Sequence, residues 1–184
     1  LVPAPKRDLF VTHVMSSGKL NIVGFALREV QEYDCDMIYA WSQDPQTRAA
    51  SIRSEPFSIE DHRAWVARKM DERIPKDVRW YVLEEGARVP LGLVRYERVR
   101  AGRPMWTGGP VPDKDGGTEV YINVSPAARG MRLGTLALQR SEGHAAKVMP
   151  RPFVALIKPD NTASIKTFEA AGYVKMGEEE RMGV

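Results

Sequence analysis

A chain of 184 residues with 43% hydrophobic content is long enough to bury one sizeable core, and no composition break divides it. The net charge of +3 comes from basic residues interleaved with acids rather than gathered in a stripe, which argues against nucleic acid as a partner. A single cysteine, Cys35, excludes an internal disulfide, three scattered histidines leave no metal spacing, and no apolar run approaches the roughly 20 residues of a membrane helix, so a cytoplasmic protein without metal or membrane partner is expected.

Residues 1–20 lack periodicity and are read as a flexible N-terminal extension, leaving one domain over 21–184. Ile22 to Val30 predicts the first strand. Asp34 to Ser42 predicts a helix with Met37, Ile38 and Trp41 on one face, after which Asp44-Pro45 turns the chain. Cys35, in that helix, reads as inert filler. A second helix starts near Ser58, where Ser58-Ile59-Glu60-Asp61 approximates a capping box and Ile59, His62, Trp65, Val66 and Met70 recur every three or four residues. His62 thus shares an apolar stripe, and a polar ring there either finds a buried partner or borders a cleft.

Strands follow at Val78 to Glu84, Leu91 to Arg98 and Gly117 to Val124. The Gly-, Pro- and Asp-rich span Ala101 to Gly116 is longer than a tight hairpin needs and is placed to cover a substrate. Beyond the alternating Val120, Ile122 and Val124, residues Ser125 to Thr135 form a glycine-containing strand–loop–helix turn. The first turn of a helix carries unpaired N–H groups and the positive end of the dipole, so such a turn suits phosphate. Gly130 and Gly134 let backbone approach a ligand closely. Neither a Walker loop nor a dinucleotide fingerprint is present.

Phe153 to Ile157 reads as a buried strand stopped by Lys158-Pro159-Asp160-Asn161. The next helix, Thr162 to Ala171, carries Ile165, Phe168 and Ala171 at helical spacing and ends at Gly172 in a left-handed cap. Near the C-terminal segment Met176 to Val184 an exposed sheet edge is placed to pair with a second subunit as a homodimer. Strand, two helices, three strands, helix, strand, helix, strand is the order of a mixed α/β (α+β) sandwich.

Arg129-Gly130-Met131-Arg132-Leu133-Gly134 resembles the Arg/Gln-x-x-Gly-x-Gly/Ala pyrophosphate loop of the GCN5-related N-acetyltransferases (GNAT), with Arg132 where that superfamily has its middle glycine. Asn161 to Ser164, followed by Phe168-Glu169-Ala170-Ala171-Gly172-Tyr173, is similar to the family's second signature. The resemblance covers about Gly24 to Glu178. It implies a mixed, mostly antiparallel central sheet flanked by about four helices, with acetyl-CoA as acyl donor and no metal. By resemblance, Arg129, Gly130, Met131, Arg132, Leu133, Gly134 and Thr135 hold the pyrophosphate, and Asn161, Ser164 and Phe168 border the pantetheine arm. Asn161 reads equally as a helix N-cap. Phe168 stands where the family often has a tyrosine that protonates the thiolate, and it has no proton to give. Backbone N–H groups near Asn123 and Val124, on a splayed strand that in the family carries a bulge, are implied as the oxyanion hole.

An ammonium has no lone pair, so the reaction needs a base or a water-mediated exit for its proton. Glu119 matches the acid the family often places at the start of this strand and is the first choice as general base, with a solvated strand-end carboxylate as the alternative. Arg48-x-x-Ser51 and Glu60-Asp61-His62-x-x-Trp65 resemble the branch that acetylates 4-amino-sugar nucleotides, which implies Arg48, Ser51 and His62 as substrate-binding residues. Leu27-Arg28 and the Asp-Pro turn are shared with the branch that acetylates protein N-termini. The resemblance therefore implies direct transfer in a ternary complex to a small primary amine, a sugar nucleotide first. A peptide acceptor and a non-catalytic acyl-CoA sensor are the competing readings.

Overall fold

The computed structural model describes residues 6–13, 24–71, 78–86, 88–99 and 116–181, without side chains for 6–13 and 178–181. Seven strands among them form one sheet in the order β2-β3-β4-β5-β6-β1-β7. They are β1 (Lys6–His13), β2 (Phe25–Glu29), β3 (Val78–Glu85), β4 (Val89–Val99), β5 (Gly117–Val124), β6 (Phe153–Ile157) and β7 (Tyr173–Arg181). All neighbouring strands are antiparallel except β5 and β6, which are parallel. The helices are α1 (Cys35–Gln43), α2 (Pro45–Ala50), α3 (Ile59–Met70), α4 (Leu133–Ala145) and α5 (Thr162–Ala170).

Because strand side chains alternate between faces, β3 and β4 feed two cores. Trp80, Val82 and Leu93 pack on one face with Val30, Cys35, Ile38, Trp41 and Val66 of the α1/α3 layer. Tyr81, Leu83, Val94, Tyr96 and Val120 pack on the other with Leu136, Ala137 and Leu138 of α4 and Phe168 of α5. The helix signals work as read: the Ser58 hydroxyl accepts from Asp61 N at 3.0 Å, and Gly172, just past α5, has φ +98. Arg28 on β2 bridges Asp34 at 2.6 Å and Glu84 at 2.6 Å, which fixes the α1 approach to the sheet edge.

Three expectations are corrected. Residues 6–13, read as part of an extension, form β1 between β6 and β7, with Leu9 opposite both Ile157 and Glu178. That pairing comes from strands distant in sequence, so no local periodicity announces it. Asp44-Pro45 begins helix α2 rather than only a turn: the Asp44 carboxylate accepts from Thr47 N at 3.0 Å and Pro45 takes the first helical position. Lastly, β5 carries no bulge against β4, pairing without a break from Gly117↔Val99 to Val124↔Gly92; the register shift lies between Leu83 and Glu84 of β3. The span Ala101 to Gly116 lies outside the described residues up to its last glycine. No described helix is long and apolar enough to cross a membrane, and the described residues hold no metal-competent cluster.

Candidate active site

The parallel strands β5 and β6 pair only at Thr118↔Phe153 and Glu119↔Val154, then part. Thr118 N donates to Pro152 O on the β6 side at 3.0 Å, and Ser125 N donates to Leu91 O on the β4 side at 2.9 Å. Successive amides along a strand point to opposite sides, so beyond Glu119 the N–H groups of Ile122 and Val124 face the widening gap. That of Asn123 turns toward β4, so of the expected pair Val124 faces the gap and Asn123 does not, and Ile122 faces it as well.

At the far end of the gap the chain makes a left-handed step twice, at Gly130 (φ +78) and Arg132 (φ +58), before α4 starts. Arg132 therefore occupies a conformation that glycine adopts without strain, at a cost of about 1–2 kcal/mol for an L side chain. Leu136 N is bonded to Arg132 O at 3.2 Å, and the cap residue offers no side-chain acceptor. The amides of Leu133, Gly134 and Thr135 thus precede the helix's own ladder and are open to an anion. Met131 and Arg132 are exposed around them.

Other loop residues do different work. Arg129 turns away and clamps α2, reaching Asp44 at 2.5 Å, Gln46 at 2.8 Å and Thr47 Oγ1 at 2.8 Å. The arginine holds the Asp44 carboxyl below its usual range, with the Thr47 backbone bond adding to that. From the β6 side, Lys158 Nζ donates to Ala49 O at 2.7 Å and Asn161 Nδ2 to Ala50 O at 3.5 Å, so α2 straps the two lips of the gap together. Asn161 Oδ1 caps α5 by accepting from Ser164 N at 3.1 Å. Gly134 makes a packing contact: a Cβ there would lie 2.9 Å from Thr167 Cγ2 and 3.1 Å from Ile122 Cδ1. The Thr135 hydroxyl donates to Thr167 O at 3.3 Å. Phe168 is 2% exposed and meets Tyr173 edge-on with centroids 4.9 Å apart, so it belongs to the core and not to the gap wall.

On the α1/α3 face, Glu119 and Tyr121 of β5 lie directly opposite Glu97 and Arg95 of β4. Glu97 is paired with Lys69 Nζ from α3 and with Arg95 Nε at 3.4 Å. The Arg95 guanidinium sits 3.9 Å from the Tyr121 ring centroid, 5.0 Å from Trp65 and 5.6 Å from Trp80. Burial, then the Glu119 charge, pushes the Tyr121 hydroxyl's pKa up, and that hydroxyl is hydrogen-bonded to Glu119. The sequence alone does not announce the grouping of Arg95, Glu97, Lys69 and Tyr121, although the alternation that puts Glu119 on one face puts Tyr121 beside it.

The three residues expected to bind acceptor all make contacts within the protein, while Arg48 Nε and His62 Nε2 are buried without a hydrogen-bond partner among the described residues. Arg48 donates to Glu55 O at 3.2 Å and lies 5.1 Å over Phe57. Ser51 Oγ donates to Thr47 O at 2.7 Å. His62 is 4% exposed among Tyr39, Phe57 and Trp65, and burial lowers its pKa against a bond to the Cys35 backbone and the nearby Asp36 charge.

Several solved acetyltransferases share this fold. An aminoglycoside acetyltransferase in complex with coenzyme A and kanamycin superposes with TM-score 0.63 at 18% identity, covering 83% of this chain and 86% of that one. The spermidine N-acetyltransferase of Vibrio cholerae, in complex with CoA and spermine, gives TM-score 0.64 at 14% identity over 85% and 84%. A structure assigned as a phosphinothricin N-acetyltransferase gives 0.60 at 24% identity over 83% and 85%. No curated protein matches the chain. The profile of the acetyltransferase (GNAT) domain matches residues 25–174, and the chain belongs to that family.

Proposed function

We propose that this chain moves an acetyl group from acetyl-CoA to the primary amine of a small molecule, directly, with donor and acceptor bound together. One observation carries the reading: the β5/β6 gap opens just past Glu119, where the strands part, and ends at the open amides of α4. Bound acetyl-CoA supplies an activated thioester. The Leu133, Gly134 and Thr135 amides suit its diphosphate, whereas Arg129 contributes by holding the loop to α2. The Ile122 and Val124 amides suit the carbonyl oxygen as it gains negative charge. Glu119 takes the ammonium proton, which frees the lone pair. The nitrogen–carbon bond then forms and the carbon–sulfur bond breaks. The nitrogen's second proton leaves to solvent and the thiolate takes one from water, since Phe168 has none.

A 4-amino-sugar nucleotide is the first acceptor to assay, on the strength of the sequence pattern around Arg48 and His62. Titration calorimetry with acetyl-CoA on wild type and Arg132→Glu, followed by thiol-release assays against amino-sugar nucleotides, polyamines and N-terminal peptides, tests the reading. Binding by wild type that weakens at least tenfold in the variant, with release driven by one amine class, supports it. No binding by wild type overturns it, and binding without release for any amine favours a sensor. Exposed Val174 (42%) and Met176 (57%) on the edge strand β7 suit pairing with a second copy, which light scattering would detect.

A further inference from the structure

We infer that Tyr121 and Arg95 are positioning residues for the Glu119 base: the Arg95 guanidinium holds the Tyr121 ring, and the Tyr121 hydroxyl holds the carboxylate. The inference rests on the proposed role of Glu119. Residues i and i+2 of a strand stand side by side on one face, so Tyr121 is the nearest neighbour from which β5 itself can orient Glu119. A carboxylate on a strand surface otherwise rotates freely, and a base must meet its proton within hydrogen-bond reach.

The ring is held in turn. Arg95 stands opposite it in register, 3.9 Å from its centroid, and is itself flanked by Trp65 of α3 and Trp80 of β3. Stacking of this kind needs the planar guanidinium, which lysine lacks. The side chain of Arg95 is 17% exposed and that of Glu97 25%, whereas Tyr121 is 37% exposed, so the row is shielded at Arg95 and open to solvent at the Tyr121 edge. Glu97 faces Glu119 directly, and two like charges so placed repel. Lys69 and Arg95 both pair with Glu97, which offsets that repulsion and leaves Glu119 able to remain anionic beside it. Among the described residues of this row, the charged neighbours of the base are Glu97, Arg95 and Lys69, with Tyr121 as the neutral donor.

The test is Tyr121→Phe, which removes one oxygen and keeps the ring on Arg95, alongside Arg95→Lys and Glu119→Gln. Three quantities are read: the pH profile of kcat/KM, acetyl-CoA affinity by calorimetry, and the Glu119 carboxyl titration in the unliganded protein by carbon-13 NMR, assigned with Glu119→Gln. A donor to a carboxylate stabilises its anion, so losing the hydroxyl moves both the acid limb and the NMR titration of Glu119 to higher pH, by about one unit. Turnover falls about tenfold while acetyl-CoA affinity and melting temperature hold. Arg95→Lys shifts the same limb in the same direction with Glu97 still paired. An unmoved limb and an unmoved NMR titration in Tyr121→Phe overturn the inference while the base assignment stands. Full activity of Glu119→Gln across pH overturns the base assignment itself, a result the Tyr121 variant cannot mimic.

Discussion

Replacing Gly134 by alanine adds one methyl at the junction of α4, α5 and β5. It would stand 2.9 Å from Thr167 Cγ2, 3.1 Å from Ile122 Cδ1 and 3.4 Å from Val124 Cγ2. Thr167 cannot swing aside cheaply, because its hydroxyl donates to Ala163 O at 2.8 Å and a new rotamer gives up that bond. Ile122 and Val124 are anchored in a strand paired along its whole length with β4. Overpacking of this kind costs about 1–3 kcal/mol. Alanine in a helix recovers about 0.5–1 kcal/mol over glycine, and less in a first turn, so the clash wins by about 1–2 kcal/mol. At roughly 2–4 °C per kcal/mol for a chain of this size, the melting temperature falls by about 2–8 °C. Thr167→Ser removes Cγ2 and keeps the hydroxyl, so adding Gly134→Ala on that background costs clearly less than on wild type. Calorimetric melting of the four proteins measures the coupling. A Gly134→Ala protein as stable as wild type, or an undiminished loss on the serine background, refutes the reasoning.

Arg132→Gly relieves the left-handed strain, worth about 1–2 kcal/mol against a glycine entropy penalty of about 0.5–1 kcal/mol, so thermal melting shows a small gain, whereas Arg132→Ala shows none. His62 has its folded pKa held below the unfolded value near 6.5, so the unfolded chain binds its proton first. Stability therefore falls as pH drops through that window, and urea midpoints at pH 7.5 and 5.5 differ less in His62→Phe than in wild type. Phe168→Tyr places a hydroxyl in the core beside Tyr173 instead of in the gap; melting temperature falls, consistent with about 1–3 kcal/mol for a buried unpaired group, and thiol release does not rise. Arg129→Ala frees Asp44 and unpins α2, so hydrogen exchange quickens across residues 45–50 and acetyl-CoA affinity declines several-fold.

Much of the architecture was legible in local pattern. Phe153–Ile157 and Gly117–Val124 have the bounds their apolar runs suggested, and Ser58, Asn161 and Gly172 cap helices as their residue types imply. What escaped was settled by partners remote in sequence. Arg129 looked like a phosphate ligand until Asp44 was seen to occupy it, and Ser51 looked available until Thr47 O was seen to accept its proton. Phe168 sat in a motif that names a cleft position, yet helical phase turned it onto Tyr173. The row Arg95, Glu97, Glu119, Tyr121 exists only once β4 and β5 are in register, a pairing across a long intervening span.

Of the described strands, β1 precedes all others in the chain yet pairs with two of the latest. Because β1 lies between β6 and β7, the sheet from residue 153 onward cannot close until the ribosome has delivered almost the entire domain. Until then residues 6–13 have neither of their two partner strands, and the β6 side of the gap lacks its neighbour. Pairings this distant are slow and expose chains to mispairing, and deleting residues 6–13 removes the strand that joins β6 to β7, so the deletion lowers the yield of correctly folded protein.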